Sequence, residues 1–416
     1  MAPRRMSNAW REVRWGRAAL VLAAGGLLMW LTLALTMGMV FGRTAPEVAY
    51  RWWPYSADAQ AGIAAALVRA EATPANVERA LRLSENALRR EPTNVPASRT
   101  LGLVAFIQGQ PSRAGRLFNY SESLSRRDVP TQLWLIEQNV NRNDIAGALL
   151  HYDRALRTSI QIRELLFPIL VRASADPSTA PSLARLVGTR PNWWQAFAEQ
   201  LFESSESSHA ILLALDRLRL RADNEDELEL IGAAIRRLVD LGDYPAAFRV
   251  YLAVQSGGSA DRLALRNGSF EEDGQLPPFD WEFRSEPGLS AYPQAREGAD
   301  GRRVMFISGE SGRGGYVARQ LLLLRPGTYR IAATVGDVPP DTDARPRATV
   351  ICAGTPATQL MRMRFPRATG GGNRLSGEFT VPATACPAQW LWIEAGSSLD
   401  SVAITPWIDS IRVRAL

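Results

Sequence analysis

Residues 389–395 read Gln-Trp-Leu-Trp-Ile-Glu-Ala, an alternation of aromatic and aliphatic side chains. Successive side chains of a β-strand point to opposite faces of the sheet, so Trp390 and Trp392 share one face. Leu391 and Ile393 share the other face. Because both pairs are apolar, one of them must pack in a core, and the segment predicts a strand of an all-β domain.

Further segments on both sides of this strand show the same short alternation. Turn signals separate them, among them Arg325-Pro326-Gly327 and the glycine run that ends in Asn373. Strands at this spacing predict an antiparallel sandwich or jelly roll over residues 265–416. The predicted strands are 303–308, 315–324, 328–335, 347–353, 375–381 and 407–414.

Three short motifs mark the beginning, middle and end of this domain. They are Asn-Gly-Ser-Phe-Glu at 267–271, Leu-Arg-Pro-Gly-Thr-Tyr-Arg at 324–330 and Trp-Ile-Asp-Ser-Ile-Arg-Val at 407–413. Their order resembles that of the galactose-binding-like jelly roll found in many carbohydrate-binding modules. Each motif is short, and the resemblance depends on finding all three in one order.

The resemblance implies a structural calcium site. In that family a glutamate of the first motif and an aspartate of the last strand often contribute to it, and here these are Glu271 and Asp409. Calcium takes carboxylate and carbonyl oxygens, which converging chain ends can supply. The alternative interpretation is that each carboxylate is exposed or paired with an arginine.

Sugar binding needs aromatic side chains that stack on sugar faces and polar groups that bond to hydroxyls. Trp390 and Trp392 are candidates because they share a face of one strand. The alternative is that they pack in the core, as aromatic pairs in small sandwiches usually do. The full set of candidate aromatic residues is Trp281, Tyr292, Tyr316, Trp390, Trp392 and Trp407.

Cys352 and Cys386 are the only two cysteines of the chain. In an oxidising compartment they can pair and close a loop of about 34 residues, which stabilises a fold by roughly 3–4 kcal/mol in the chain-entropy model. The alternative is two buried thiols. No Cys-x-x-Cys motif occurs, so redox catalysis has no support.

Residues 61–162 repeat at an interval of 34 residues. Within each row, apolar residues recur at three- and four-residue spacing, which is typical of amphipathic helices. Breakers such as Pro74 and Gly109 fall between the helical segments. Four columns align over three rows: Leu67, Leu101 and Leu135; Ala80, Ala114 and Ala148; Ser84, Phe118 and Tyr152; and Ala87, Ser121 and Ala155.

This pattern resembles the tetratricopeptide repeat (TPR), a helix-turn-helix unit of 34 residues. Small alanines let the two helices of a unit approach closely, while larger apolar residues fill the space between units. The chain departs from the motif where its early tryptophan is missing, and Ile160 replaces the final proline of the third row. The resemblance implies a TPR-like solenoid whose concave face binds a protein partner.

Residues 163–260 continue as helices without a clean period, and the all-α domain is placed at 61–256, before the composition changes. The serine-rich stretch 203–208 predicts a helix end and loop, and the acidic run 223–229 predicts a solvated helix start. A short linker at 257–264 precedes the sandwich. The clearest helical segments are 192–202, 209–222 and 226–240.

Residues 18–41, AALVLAAGGLLMWLTLALTMGMVF, carry no charged side chain. As a helix they would be roughly 36 Å long, enough to cross a hydrocarbon core of about 30 Å. Five arginines precede them in residues 1–17, so the positive-inside rule predicts a cytoplasmic tail there and later domains outside the cytoplasm. A cleaved signal peptide is the alternative, but its apolar stretch spans only about 7–15 residues. The sequence predicts a single transmembrane helix, followed by a juxtamembrane linker at 42–60.

Composition argues against several function classes. The chain has 48 basic and 42 acidic residues, a net charge of +6, and every basic residue is an arginine. Lysine-dependent Schiff-base and phosphate-loop chemistry is therefore excluded. Most of the net charge lies in the N-terminal tail, so no basic patch in the folded part indicates nucleic acid. The only histidines are His151 and His209, and no metalloprotease or serine-hydrolase motif occurs.

These features favour a non-enzymatic scaffold or adaptor. We expect a single-pass protein of the cell inner membrane whose folded domains lie in the periplasm. The repeats would bind a protein partner and the sandwich a polysaccharide, in polysaccharide synthesis, export or cell-envelope assembly; this association rests on fold alone. Apart from the structural calcium, no cofactor is expected. Two alternatives are a surface lectin and a carboxylate-based hydrolase.

Overall fold

The computed structural model describes residues 9–42, 44–255, 265–297, 303–309, 313–354, 357–369, 372–396 and 405–416, with side chains from residue 18 onward. The predicted linker at 257–264 lies outside these residues, as do the first eight residues of the predicted tail. The chain forms two compact units, Met1–Leu166 and Phe167–Leu416.

The first unit begins with the 33-residue helix α1 (Ala9–Phe41). Its segment Ala18–Phe41 has a mean hydropathy of 2.2 and is 6% buried, and among the described residues it is the one helix long and apolar enough to cross a membrane. Signal sequences share these properties. The chain therefore has one apolar helix suited to a membrane near its N-terminus.

Seven shorter helices complete the first unit up to residue 158. After α2, consecutive helices pack as three hairpins: α3 with α4, α5 with α6 and α7 with α8. Side chains of Ser56, Thr73, Asn94, Asp128 and Asp144 accept backbone N–H bonds at the starts of α3, α4, α5, α7 and α8, which satisfies otherwise unpaired donors. The helices are α2 (Pro46–Trp52), α3 (Ala57–Ala70), α4 (Pro74–Arg90), α5 (Val95–Ile107), α6 (Pro111–Leu124), α7 (Val129–Asn141) and α8 (Ile145–Thr158).

The aligned columns of the repeat are buried on the second helix of each hairpin: Ala80, Ala114 and Ala148 are at most 5% exposed. The first-helix column holds in two rows only, since Leu101 and Leu135 are buried while Leu67 is half-buried. Helix α4 has 17 residues, whereas α6 and α8 have 14 each. This extra turn lies between α3 and α5, so counting back 34 residues from Leu101 does not reach the equivalent position on α3. The sequence interval of 34 thus describes the second and third hairpins better than the first.

The helices that follow are less regular, and they confirm the helical reading of residues 163–256. The predicted segments 192–202, 209–222 and 226–240 appear as helices with ends shifted by a few residues. The serine-rich stretch is the end of one helix and the start of the next, as predicted. They are α9 (Gln161–Ala173), α10 (Ala180–Gly188), α11 (Trp194–Ser204), α12 (Ser208–Leu218), α13 (Glu225–Asp240) and α14 (Tyr244–Val254).

The acidic run does form the first turn of α13, but one of its members is not solvated. Glu227 is 7% exposed, and its carboxylate accepts bonds from Arg190 Nη1 at 2.7 Å and from the backbone N–H of Arg221 at 2.8 Å. The hydrogen bond from Arg190 holds the pKa of Glu227 below its usual value. A buried carboxylate satisfied in this way fixes the start of α13 to the loop after α10.

Eleven strands in the described part of residues 282–415 form two antiparallel sheets. One sheet has five strands in the order β1-β5-β10-β7-β8, and the other has six in the order β2-β3-β4-β11-β6-β9. The strands are β1 (Glu282–Phe283), β2 (Ser285–Glu286), β3 (Leu289–Ala295), β4 (Arg303–Gly309), β5 (Gly315–Leu322), β6 (Gly327–Gly336), β7 (Arg347–Ala353), β8 (Gln359–Arg364), β9 (Asn373–Val381), β10 (Ala388–Ala395) and β11 (Trp407–Ala415).

All seven predicted strands are present, and the prediction of an antiparallel sandwich is confirmed. The inner faces of the two sheets share one core, to which Leu391 and Ile393 contribute from β10 and Ile331 and Ile408 from the six-stranded sheet. Leu391 and Ile393 are both fully buried. The aliphatic set of the opening segment is therefore the core set, and Trp390 and Trp392 face outward.

Helix α14 is fixed to the sandwich through its last turns. The hydroxyl of Tyr251, which is fully buried, donates to Asp280 Oδ1 at 2.8 Å. Phe248 packs edge-on against Phe279 with ring centroids 5.1 Å apart, and the guanidinium of Arg266 lies 4.8 Å from the Tyr251 ring centre. These contacts explain why the helices after residue 167 and the sandwich belong to one compact unit.

Candidate functional site

One row of side chains crosses the outer face of the five-stranded sheet. Glu282 on β1 lies opposite Arg319 on β5, and Arg319 lies opposite Trp392 on β10. Trp392 in turn lies opposite Thr349 on β7, which lies opposite Arg362 on β8. Directly opposite residues of an antiparallel pair share a face, so all five side chains stand on one side of the sheet.

Three aromatic rings lie on this outer face, which we call the aromatic face: Tyr316, Trp390 and Trp392. All three are half-buried. The Tyr316 and Trp392 rings have centroids 5.5 Å apart at an interplanar angle of 32°. The Arg319 guanidinium carbon lies 4.6 Å from the Trp390 ring centre and 5.0 Å from that of Tyr316, so a cation separates two of the rings.

Four charged side chains at the centre of the aromatic face form two pairs of opposite charge. Arg319 makes two bonds to the Glu282 carboxylate, at 2.8 and 2.9 Å. Glu394 accepts from the Thr349 hydroxyl at 2.8 Å and lies 3.3 Å from the Arg362 guanidinium. The centre of the face therefore offers oriented donors and acceptors beside aromatic rings, while Arg347 and Arg364 lie opposite each other on β7 and β8.

The rim of the face carries a further arginine. Arg284 lies 4.9 Å from the Tyr316 ring centre and donates from Nε to Glu286 at 2.8 Å, and this hydrogen bond raises the pKa of Arg284. Among the described residues the buried indole N–H of Trp392 has no acceptor. Arg284 and Arg319 thus both contact the Tyr316 ring. The Trp392 indole N–H is a donor whose hydrogen bond is not satisfied within the described residues.

The other predicted aromatic platforms do not join this face. Trp281, a candidate sugar platform from the sequence, is 4% exposed and belongs to the sandwich core, where its indole N–H donates to the Asn267 carbonyl at 3.1 Å. Trp407 is also buried, at 2%. Tyr292 is 43% exposed, but it lies on β3 of the other sheet and stacks on Phe306.

The structure gives no support to the calcium site. Glu271 is exposed, and its carboxylate accepts the backbone N–H of Arg303 at 2.9 Å. Asp409 is 1% exposed and accepts from the backbone N–H of Ser410. Within the described ranges no three acidic, histidine or cysteine side chains come together to hold a metal. Each carboxylate accepts a backbone N–H bond in the structure, and the calcium site stays a prediction from the resemblance.

Cys352 and Cys386 lie at bonding distance, with their sulfurs 2.09 Å apart. Cys352 is the second-last residue of β7, and Cys386 precedes β10, the strand that pairs with β7. The predicted pairing of the two cysteines therefore agrees with the sheet topology, which brings these two strand ends together.

A second candidate site lies in the first unit, on the face formed by the first helix of each hairpin. It is a groove of about 250 Å³, mainly apolar, which we call the α3–α5–α7 groove. Leu103 is 37% exposed in it, and the stacked rings of Phe118 and Trp134, with centroids 4.1 Å apart, form its floor. Arg99 is held there by an ion pair with Asp128 at 2.5 Å. The lining residues are Ala65, Arg69, Arg99, Thr100, Leu103, Phe118, Pro130 and Trp134.

Neither a protein-family model nor a curated protein matches the sequence. Solved structures do resemble the sandwich. A family 4 carbohydrate-binding module is 19% identical with a TM-score of 0.29, over 36% of this chain and 99% of its own. The CBM22-1 xylan-binding domain of Paenibacillus barcinonensis Xyn10C is 17% identical with a TM-score of 0.27, over 38% and 97%. A further CBM22 xylan-binding domain is 11% identical with a TM-score of 0.26, over 36% and 92%. The C-terminal sandwich thus resembles carbohydrate-binding modules in fold.

Proposed function

We propose that the aromatic face binds a neutral polysaccharide and that the chain acts without catalysis. The observation that carries this proposal is the outward set of Tyr316, Trp390 and Trp392 above a core formed by Leu391 and Ile393. Three half-buried rings on one face of a sheet are not needed for the core, which the aliphatic set already fills. Aromatic rings of this kind offer apolar area to sugar faces at low conformational entropy.

The paired charges support a neutral ligand and a binding role. Arg319 with Glu282, and Glu394 with Thr349 and Arg362, present donors and acceptors suited to hydroxyl groups. A glycoside hydrolase needs one carboxyl group to act as an acid and another to act as a base or nucleophile. Both carboxylates of this face are instead engaged with arginines, which favours binding over hydrolysis.

The test is affinity electrophoresis of the detergent-solubilised full-length chain through gels that contain xylan, β-glucan, galactan or no polysaccharide. Retardation by at least one neutral glycan is expected. Equal mobility in all gels would contradict the proposal, and release of reducing ends from a retained glycan would replace binding by hydrolysis.

The α3–α5–α7 groove supports the second part of the function, an adaptor role in which the TPR-like hairpins bind a protein segment. An exposed leucine beside stacked rings forms an apolar floor, and Arg69 and Arg99 add donors at its edge. Grooves of this composition suit short segments that combine an apolar anchor with a polar or acidic flank. We propose a partner from the machinery of polysaccharide synthesis or export, which a glycan-binding sandwich would bring close to its product.

Leu103→Glu is expected to abolish co-purification of this partner from solubilised membranes, since a carboxylate in the groove would be desolvated on binding. Leu150→Glu is the matched control, because Leu150 is an exposed leucine, at 48%, on the second helix of the third hairpin and outside the groove. Quantitative mass spectrometry of the two pull-downs measures the difference. Equal recovery of all partners from both variants would contradict docking at this groove.

The anchor completes the proposal: α1 holds the chain in the inner membrane with residues 1–17 in the cytoplasm and the rest in the periplasm. The arginine-rich tail before the apolar helix supports this orientation. A protease added to intact spheroplasts is expected to remove a C-terminal epitope tag within minutes while a cytoplasmic marker stays intact. Protection of the tag until lysis would contradict the orientation, and a mature chain shortened by about 4 kDa would indicate a cleaved signal peptide rather than an anchor.

A further inference from the structure

A broad depression lies on the outer face of the six-stranded sheet, on the side of the sandwich away from the aromatic face. Its volume is about 810 Å³. Strands β6, β9 and β11 form its floor, with Ala332 at the centre. Arg330, Arg374, Arg412 and Arg414 surround it, and we call this depression the basic groove.

Strand register explains why the arginines converge. Arg414 lies directly opposite Arg330, Arg412 lies opposite Ala332, and Arg374 lies opposite Thr334. Arg412 and Arg414 are two residues apart, so they share the outer face. Like charges directly opposite each other on a sheet are destabilising. The pair Arg330–Arg414 therefore does not contribute to the stability of the sheet.

Among the described residues, a carboxylate forms an ion pair with one of the four arginines. Arg330 donates to Glu378 across the β6–β9 pair, with Nη2 at 2.6 Å. In the part of the chain that the structure describes, no carboxylate forms an ion pair with Arg374, Arg412 or Arg414. On the aromatic face, by contrast, Arg319 pairs with Glu282 and Arg362 pairs with Glu394.

We infer that the basic groove binds a polysaccharide whose sugars carry carboxylate groups. A guanidinium forms two parallel bonds to a carboxylate, which gives both affinity and orientation. Between the arginines, Thr334 and Ser410 line the groove with hydroxyl groups that match the hydroxyls of a sugar chain. A bare phosphate chain has no such hydroxyls. The Asn373 amide, also at the groove, donates to the Arg367 carbonyl and accepts from the Arg374 N–H. This inference does not depend on sugar binding at the aromatic face, which lies on the other sheet.

The experiment measures binding of the solubilised full-length chain to immobilised polygalacturonate and alginate by biolayer interferometry at several salt concentrations. Binding is expected to weaken steeply with salt, because the contacts are between exposed charges. Arg412→Gln/Arg414→Gln is expected to weaken binding at least tenfold, and Arg412→Lys/Arg414→Lys to restore only part of it, since lysine lacks the planar fork. Arg79→Gln/Arg116→Gln, which removes two exposed arginines of the first unit, is the control of equal charge.

Three results would overturn the inference. They are failure to bind either acidic polymer, binding that Arg412→Gln/Arg414→Gln leaves unchanged, and displacement by polyphosphate at lower concentration than by galacturonate oligomers. A circular-dichroism melt of the glutamine variant shows whether it is folded, and the lysine variant keeps the test valid if it is not. If the natural chain binds the acidic polymers but no neutral glycan, the proposal for the aromatic face is contradicted and the inference for the basic groove is not.

Discussion

Replacing Trp390 and Trp392 together by alanine is expected to weaken binding of the neutral glycan about a hundredfold or more. Buried aromatic anchors commonly contribute about 2 kcal/mol each to an interface, and each 1.4 kcal/mol corresponds to roughly a tenfold change in dissociation constant. The indole of Trp392 contacts Tyr316, and that of Trp390 contacts Arg319, so the variant also loosens the two residues that complete the face. Isothermal titration of the glycan that retards the chain in gels measures the change.

Controls separate this loss from unfolding. Both tryptophans are half-buried, so part of the roughly 3–5 kcal/mol that a fully buried tryptophan contributes to stability will also be lost. Trp390→Phe/Trp392→Phe keeps an aromatic surface and is expected to retain partial binding. Tyr292→Ala removes an aromatic ring from the other sheet and should leave the affinity unchanged. If it weakened binding as much as the double alanine variant, the ligand would lie on the wrong sheet for the proposal.

The composition of this face was only partly predictable from the sequence. Alternation along β10 placed Trp390 and Trp392 on one side, and the aliphatic neighbours Leu391 and Ile393 proved to be the core set. The partners across the sheet were not predictable, because Glu282 and Arg362 come from the distant strands β1 and β8. Register between distant strands depends on turns and packing, which no local pattern contains.

The missed strands have local explanations. Strand β8, Gln-Leu-Met-Arg-Met-Arg, is an edge strand whose charged residues give a weak apolar alternation. Strand β3 contains Pro293, which argues against a strand when only the sequence is seen. Strand β8 tolerates such residues because the outer side of an edge strand forms no ladder. Strand β2 pairs only with Leu289 and Ser290 of β3, so within the described residues the side of Pro293 away from β4 also forms no strand ladder.

Trp281 illustrates how residue type alone misleads. Its large amphipathic ring made it a candidate platform, yet it packs between Phe270 and Phe283, at ring-centre distances of 5.4 and 6.4 Å. The opening motif supplies Phe270 as the neighbour of Trp281, so one residue of that motif is a core residue here. Burial of a tryptophan needs only one acceptor for its N–H, and the Asn267 carbonyl supplies it.

Replacing Cys352 and Cys386 together by alanine is expected to lower the free energy of unfolding of the second unit by about 3–4 kcal/mol. The pair spans 34 residues, which include β8 of the five-stranded sheet and β9 of the six-stranded sheet. Without the crosslink this loop, which crosses from one sheet to the other, gains freedom in the unfolded chain. Urea unfolding followed by tryptophan fluorescence measures the change.

A reducing agent supplies the control for this prediction. Dithiothreitol is expected to destabilise the natural chain by a similar amount and to leave the double alanine variant unaffected. An equal effect of the reductant on both proteins would mean that the stability difference comes from side-chain packing at residues that are only 2% and 7% exposed.

The same bond reports on the compartment, because disulfides persist in the periplasm and are rare in the cytoplasm. In whole cells treated with a membrane-permeant maleimide, neither cysteine should react, because both sulfurs are in the disulfide. Both cysteines should react with maleimide only after the protein has been denatured and reduced. The compartment is thereby tested by chemistry that does not involve the apolar helix. Free thiols in untreated cells, together with a protected C-terminal tag, would place the sandwich in the cytoplasm, where extracytoplasmic polysaccharide could not reach either of its two faces.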